Sequence, residues 1–312
     1  MRGIHLIPAS INVSFIERRA LFFVFSVILI LGSVGMFLAN GLNYGIDFKG
    51  GIMIEVRTEK AADIGAMRQN LGSLDLGEVA LQEFGQPTDV LIRIQRQEGG
   101  EKAQQVAVAS VKAALGDKVE YRRTEFVGPK VSDELFWDGV LAVSLAIFAI
   151  LIYIWFRFEW QFGMGAVVAL SHDVISTIGI FSLLGLEFNL STVAAVLTIA
   201  GYSINDTVVV FDRVRENLRK YKKMPLQELL NNSINQTLSR TVMTSVTTLL
   251  ALSALYFLGG AVIRDFSFAM IWGVIIGTYS SICLAVPLLL YLNVSRRGAL
   301  VGETDDAASE AP

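Results

Sequence analysis

A single cysteine, Cys283, stands in the whole chain, so no disulfide framework can hold it together. Histidine is nearly as scarce. Only His5 and His172 occur, with no Cys/His cluster, which argues against a structural zinc site and leaves no metal or other cofactor to expect. The net charge is −3, and no basic cluster is interleaved with aromatics, so nucleic acid is not an expected partner. Also missing is a small-x-small cleavage site after the first apolar run, Ala20–Ala39. That run, preceded by Arg18 and Arg19, is too long for the apolar core of a signal peptide and reads as an uncleaved membrane span.

What the chain has in excess is apolar residues, 53% of 312. The excess is localised. About 20 apolar residues cross a bilayer, and six stretches reach that length: roughly 20–39, 136–156, 162–184, 190–211, 241–258 and 266–291. Lysine and arginine in the short flanks set the orientation. One side collects Arg2, Arg18, Arg19, Arg157, Arg213, Arg215, Arg219, Lys220, Lys222, Lys223, Arg296 and Arg297, whereas the short loops of the other side hold only Arg264. Both termini are therefore expected in the cytoplasm, with a cytoplasmic segment at 1–19.

Residues 40–135 form a soluble-type insertion on the far side. Ile46, Phe48, Ile52, Ile54 and Val56 alternate around Gly50-Gly51, as a bulged strand would. Helical spacing follows at Ile64, Met67 and Leu71, strand patterns at Val79–Leu81 and Val90–Ile94, a second helical face at Ala103–Ala114, and a last strand at Val119–Tyr121. The order β-α-β-β-α-β predicts a ferredoxin-like α+β domain. The remaining spans occupy 136–296, interrupted by a cytoplasmic loop at 212–240 in which Lys220–Asn235 has the pattern of a weakly amphipathic surface helix with Pro225 at its start. The acidic tail, 297–312, lacks large apolar residues and is expected to be disordered.

Four polar side chains, Ser203, Asn205, Asp206 and Thr207, interrupt the fourth apolar run. A carboxylate inside a span costs about 2.5–3.5 kcal/mol on insertion scales, so Asp206 implies a function by its presence. A neutral Asn would join helices more cheaply. Arg240 opens the fifth span, and Thr244, Thr247 and Thr248 continue a polar stripe from it. Asp206 and Arg240 fit one cytoplasmic half of the bundle. A pair that closes and opens there would have the physics of a proton relay, while a snorkelling Arg240 is the simpler alternative. His172-Asp173 lies mid-span in the third helix, where adjacent residues point about 100° apart, so only one of the two is expected to face a partner. Structural bonding and proton access both fit that pair. In the sixth span Ala269, Gly273, Gly277 and Ser281 form a small-residue packing ridge, and Pro287 is expected to kink it.

Enzyme readings fail on further absences. A rhomboid-type protease needs a glycine after Ser203 and a histidine on the sixth span. An intramembrane aspartyl protease needs a Gly-x-Gly-Asp turn, whereas Asp206 follows Ser203-Ile204-Asn205. An enzyme is not expected.

Several longer motifs coincide with a known family: Gly45–Gly51 (GIDFKGG), Phe126–Val131, Ala169–Val174, Gly201–Asn217, Gln236–Ser245, Arg264–Phe268 and Gly277–Ser281. Over nearly its whole length the chain resembles the SecF family, membrane subunits of the bacterial SecDF protein-export complex within the proton-driven RND superfamily. The resemblance implies a polytopic α-helical protein with an RND-like half bundle of six transmembrane helices in the bacterial inner membrane. It also implies SecD as an obligate partner, the SecYEG translocon and YajC as further partners, and unfolded exported polypeptide as substrate. Carried over by motif, Asp206 and Arg240 fall on the proton-relay positions; the polar residues in the spans add Ser203, Asn205, Thr207, His172, Asp173 and Thr244 as candidate supporting residues. Half of an RND-type small-molecule exporter, or a passive scaffold for SecD and the translocon, are the alternative readings.

Overall fold

The computed structural model describes residues 12–116, 119–259, 261–292 and 294. The first eleven residues (with Arg2 and His5), Arg296, Arg297 and the tail expected at 297–312 lie outside them. Among the described residues, six helices are long and apolar enough to cross a membrane.

Helix α1 (Arg19–Asn40) is the first. It packs along the third long helix at a point of close approach: a Cβ on Gly179 would strike the Ser33 side chain, and Ser182 Oγ donates to the Met36 carbonyl at 2.9 Å. Two-residue strand β1 (Asn43–Tyr44) and short helix α2 (Ile46–Lys49) follow. Here the structure corrects the sequence reading: Ile46 and Phe48 belong to a helical turn, and the strand begins only after it. The reason lies in the two glycines. Gly50 and Gly51 have φ of 69° and 119°, which interrupts any extended run and which only glycine adopts without strain.

The inserted domain continues as β2 (Gly51–Thr58), α3 (Ile64–Gly72), β3 (Val79–Phe84), β4 (Gln86–Ile94), α4 (Gly100–Leu115) and β5 (Val119–Val127). The sheet order is β3-β4-β2-β5, the ferredoxin-like arrangement, with every neighbouring pair antiparallel. The expected bulge exists, but between Glu55 and Val56 rather than at the glycine pair. Alternation decides the core. Ile52, Ile54, Val56, Val90, Ile92 and Ile94 point toward Met67, Leu71, Ala107 and Val111 of the two helices and are fully or almost fully buried. The opposite sheet face is polar and carries the Arg57–Asp89 ion pair and Arg93.

Helix α5 (Pro129–Arg157) starts directly after Gly128, earlier than its apolar run, because Pro129 at a first-turn position has no N–H left unsatisfied. Then come α6 (Trp160–Leu184), the two-residue strand β6 (Glu187–Phe188), α7 (Leu190–Lys220), α8 (Leu226–Leu258) and α9 (Ala261–Ser280). The stretch expected as a loop at 212–240, with a surface helix inside it, is instead a helical hairpin. Helices α7 and α8 run on past the apolar region, because Val214 and Leu218 bury against Leu229, Leu230 and Ile234, and Ile16 joins the same core. Only Tyr221–Pro225 separates them. Below α9 the chain widens into a π turn, Ser281–Ala285, before the short helix α10 (Val286–Leu288). The turn absorbs Pro287, which lacks an N–H and would crowd the carbonyl four residues back.

Candidate site within the membrane bundle

Helix α7 is held at its start by a reciprocal cap. Asn189 Oδ1 accepts from Thr192 N at 3.0 Å, and the Thr192 hydroxyl accepts from Asn189 N at 3.4 Å. From there it runs unbroken past Asp206. The small-residue ridge of α9 sets its neighbour: a Cβ on Gly273 would strike Ile199, and one on Gly277 would lie 3.2 Å from the Ser203 Cβ. The ridge thus brings α9 against the face of α7 that carries Ser203 and Asp206.

Asp206 is 3% exposed, and its Oδ2 has no hydrogen-bond partner among the described residues. The Arg240 guanidinium and the Thr278 hydroxyl are the groups that act on this carboxyl. Arg240 is exposed and bears on Asp206 by charge across a gap, without a direct ion pair. Thr278 in turn shares a 2.6 Å hydrogen bond with Ser245 of α8, so Asp206, α9 and α8 meet at one point.

Asp173 contrasts with it. It is fully buried, its Oδ2 accepts from Ser203 Oγ at 2.5 Å and from Ser280 Oγ at 2.7 Å, and its Oδ1 meets His172 Nδ1 at 2.9 Å. Three side chains from three helices therefore satisfy one carboxyl. Both His172 and Asp173 are fully buried and bond each other, and of the two it is Asp173 whose side chain hydrogen-bonds to other helices. His172 Nε2 has no hydrogen-bond partner among the described residues, and the ring lies beside Tyr279 at 6.0 Å between centroids. Ser203 consequently belongs to the Asp173 centre and not, as the sequence suggested, to Asp206.

The other candidates separate. Thr207 is buried with an unpartnered hydroxyl, whereas Asn205 is exposed on the outer face of α7 with Ala194, Thr198 and Gly201. Thr244 donates to the Arg240 carbonyl at 2.9 Å, and Thr248 to the Thr244 carbonyl at 2.9 Å, so this stripe spends its hydroxyls on its own helix. Asn217, which sequence reasoning passed over, is buried and donates to Ser233 at 2.8 Å and Gln236 at 3.0 Å, pinning α7 to α8 beyond the spans. Its only signal was an amide on the inward helical face. Among the described residues no group of three or more His, Cys, Asp or Glu side chains is arranged to hold a metal.

A long-helix bundle with two buried carboxyl centres, and a ferredoxin-like domain inserted after its first span, defines a multi-pass membrane protein of the RND half-bundle type. Residues 107–295 match the family described as protein export membrane protein SecD/SecF, C-terminal, and residues 35–62 match the SecD/SecF GG motif. The chain is 48% identical over 306 residues to the protein translocase subunit SecF of Rhodobacter capsulatus, covering 93% of this chain and 92% of that one. With SecF of Rickettsia akari it is 49% identical over 288 residues, covering 92% and 94%. The crystal structure of SecDF from Thermus thermophilus aligns with a TM-score of 0.84 at 37% identity. That alignment covers 92% of this chain and 39% of the longer SecDF chain. SecDF in a super-membrane-facing form aligns at 0.68 with 36% identity, over 99% of this chain and 41% of that one. The chain belongs to the SecF family of protein translocase subunits.

Proposed function

We propose that this chain is the ion-coupling half of a SecDF-type motor, and that Asp206 and Arg240 form its proton relay. One observation carries the reading: a buried carboxyl with an unpartnered oxygen stands next to a guanidinium that it does not touch. A group so placed is poised between pairing and proton uptake, whereas each oxygen of Asp173 already meets a hydrogen-bonding side chain. Protonation of Asp206 removes the charge that attracts Arg240, and α7 and α8 are free to shift against each other. Each proton contributes about 2.3 kcal/mol per 100 mV of membrane potential, enough to bias a two-state helix pair over repeated cycles.

The partner is SecD. Support comes from the exposed small-residue face of α7 (Ala194, Thr198, Gly201, Asn205) and from the exposed Arg240 and Thr247 of α8, surfaces that admit a second half bundle closely. The motor is non-enzymatic and sits in the inner membrane with both termini cytoplasmic and the inserted domain periplasmic. There it acts with SecYEG and YajC on polypeptide emerging from the translocon. The test is export into proteoliposomes that contain this chain, SecD and the translocon, with and without a proton gradient and, in a second arm, a sodium gradient. Asp206→Asn is expected to assemble normally and lose gradient stimulation; unchanged kinetics would refute the relay. Arg240→Lys, which keeps the charge but loses the planar fork, is expected to retain part of it, and a wild-type Arg240→Ala would leave Arg240 a snorkelling residue.

A further inference from the structure

The inserted domain and the helix carrying Asp206 meet at one compact junction. Strand β1 pairs in parallel with β6, in register Asn43 with Glu187 and Tyr44 with Phe188. Gly45 N donates to the Phe188 carbonyl at 3.0 Å, and a Cβ at Gly45 would strike the Glu187 carboxyl. Asp47 Oδ2 accepts from the backbone N of Leu190, the first residue of α7, at 3.0 Å. A carboxylate is favoured there by the unpaired amides and dipole of a helix start. Tyr44, Phe48, Phe136 and Phe188 pack edge to face around the same point, giving the junction an apolar pivot.

One side chain in this junction comes from the sheet itself. Arg93 lies on β4 at a position that faces away from the domain core. It forms an ion pair with Glu187 and donates to Asn43 Oδ1 at 3.1 Å. Both side chains of the pair are largely buried, with 17% and 11% exposure. Arg93, together with Arg264, also acts on Asp265 near the start of α9, while Asp47 and Asp265 both act on Glu187. A single guanidinium therefore serves two carboxyls, Glu187 and Asp265, and its Nε has no partner among the described residues. Burial pushes the Glu187 carboxyl above its ordinary range, and Arg93 pulls against that shift. Beside them opens a polar cleft of about 170 Å³ between Met53, Glu55 and Arg123 of the sheet and Glu187, Ser191 and Asp265 of the bundle.

We propose that the Arg93–Glu187 pair is a releasable latch that couples the inserted domain to α7, with Arg93 as the positioning residue. The inference rests on the reading of Asp206 as the relay. Glu187 lies three residues before Leu190, the first residue of α7, and Asp206 lies on that unbroken helix, about 24 Å along its axis from Leu190 at 1.5 Å per residue. A helix that moves as one body when Asp206 changes charge must carry Glu187 with it. The domain, anchored separately through α1 and α5, then feels the displacement through Arg93. The aromatic pivot and the strand pair hold the hinge while the ion pair opens and closes.

The experiment measures gradient-stimulated export and proton uptake in the proteoliposomes described above. Arg93→Gln and Glu187→Gln, singly and together, are expected to lower gradient stimulation about fivefold or more, the lower end of measured couplings between sites, while proton uptake continues. The double neutral variant removes both charges of the buried pair together and leaves Asp265 with Arg264, so it tests the latch even where a single variant fails to fold. The exchanged pair, Arg93→Glu with Glu187→Arg, is expected to recover most of the stimulation. Wild-type stimulation in the double neutral variant would overturn the latch, as would an exchanged pair no better than the singles. Asp206→Asn separates the two ideas: it is expected to lose uptake and stimulation together, whereas the Arg93 variants lose stimulation alone. If Asp206→Asn kept both, the relay itself would fall, whatever the latch variants did.

Discussion

Ser203→Ala tests which carboxyl this serine serves. The hydroxyl is buried and donates to Asp173 Oδ2 at 2.5 Å, so the substitution removes one of two donors to that oxygen and leaves Ser280 at 2.7 Å. The Cβ stays, and with it the 3.2 Å approach of Gly277, so no repacking confuses the result. A hydrogen bond to a charged group is worth about 1.5–3 kcal/mol net in water-soluble proteins. Measured interhelical bonds within membranes average about 0.6 kcal/mol and reach ~1.7. A buried acceptor that keeps one donor should fall near the top of the membrane range, so a loss of about 1–2 kcal/mol is expected. Ser280→Ala should behave alike. The double variant leaves Oδ2 without a donor and should exceed the sum of the singles by about 1 kcal/mol, the signature of a shared acceptor. Unfolding of the purified protein in detergent gives the three stabilities, and gradient-driven export gives function, where Ser203→Ala should stay close to wild type. A Ser203→Ala chain with undiminished stability and export lost to the level of Asp206→Asn would refute the assignment.

Three other outcomes follow from the same geometry. Gly273→Ala forces a methyl into Ile199 and should destabilise the α7–α9 contact by about 1–3 kcal/mol, with recovery when Ile199→Ala makes room, read from the unfolding of single and double variants. Gly51→Ala places a Cβ 2.6 Å from the Ile94 carbonyl at a φ of 119°, so the inserted domain should lose roughly 1–3 kcal/mol, visible as faster hydrogen exchange in β2 and β4 while the bundle is unaffected. The Arg57 guanidinium, bonded to Asp89 at 2.6 and 2.7 Å, holds that carboxyl below the ordinary carboxylate range. Its contribution to stability is therefore complete above the ordinary value and is lost as pH falls through the lowered one. Asp89→Asn should lower stability at neutral pH and flatten its decline below about pH 4 in acid unfolding of the inserted domain. An equally steep decline in the variant would assign the acid sensitivity to other carboxyls.

What could be read along the chain was whatever a local pattern controls. Apolar length located the spans, and alternation located β2, β4 and the core positions Ile52, Ile54, Val90 and Ile92, because a strand exposes alternate residues to one core whatever lies beyond it. The errors arose where the deciding partner is remote. Ile46 and Phe48 continue the alternation of β2, but two left-handed glycines end the strand before them. The run 220–240 is polar enough for a loop, yet Leu229, Leu230 and Ile234 find Val214 and Leu218 and stay helical. Arg93 sits at an outward position of a good strand, where a charge needs no explanation, and only the fold brings it to Glu187.

The membrane site shows the same boundary more sharply. Insertion cost flags Asp173 and Asp206 equally, since each is a carboxyl within a span. What separates them is the number of donors around each. Asp173 is satisfied by His172, Ser203 and Ser280, the last on a helix 107 residues away, and a satisfied buried carboxyl ties helices together. Asp206 keeps a free oxygen beside a guanidinium that it does not pair with, and that residual capacity is what a relay requires. A helical wheel places Ser203 and Asp206 on one face of α7, but it cannot say that the Gly273–Gly277 ridge slides Ser280 in against Asp173 and so draws Ser203 away. Cost per residue finds where ionisable chemistry can occur; only the census of donors across helices decides which of two equally expensive carboxylates remains free to do it.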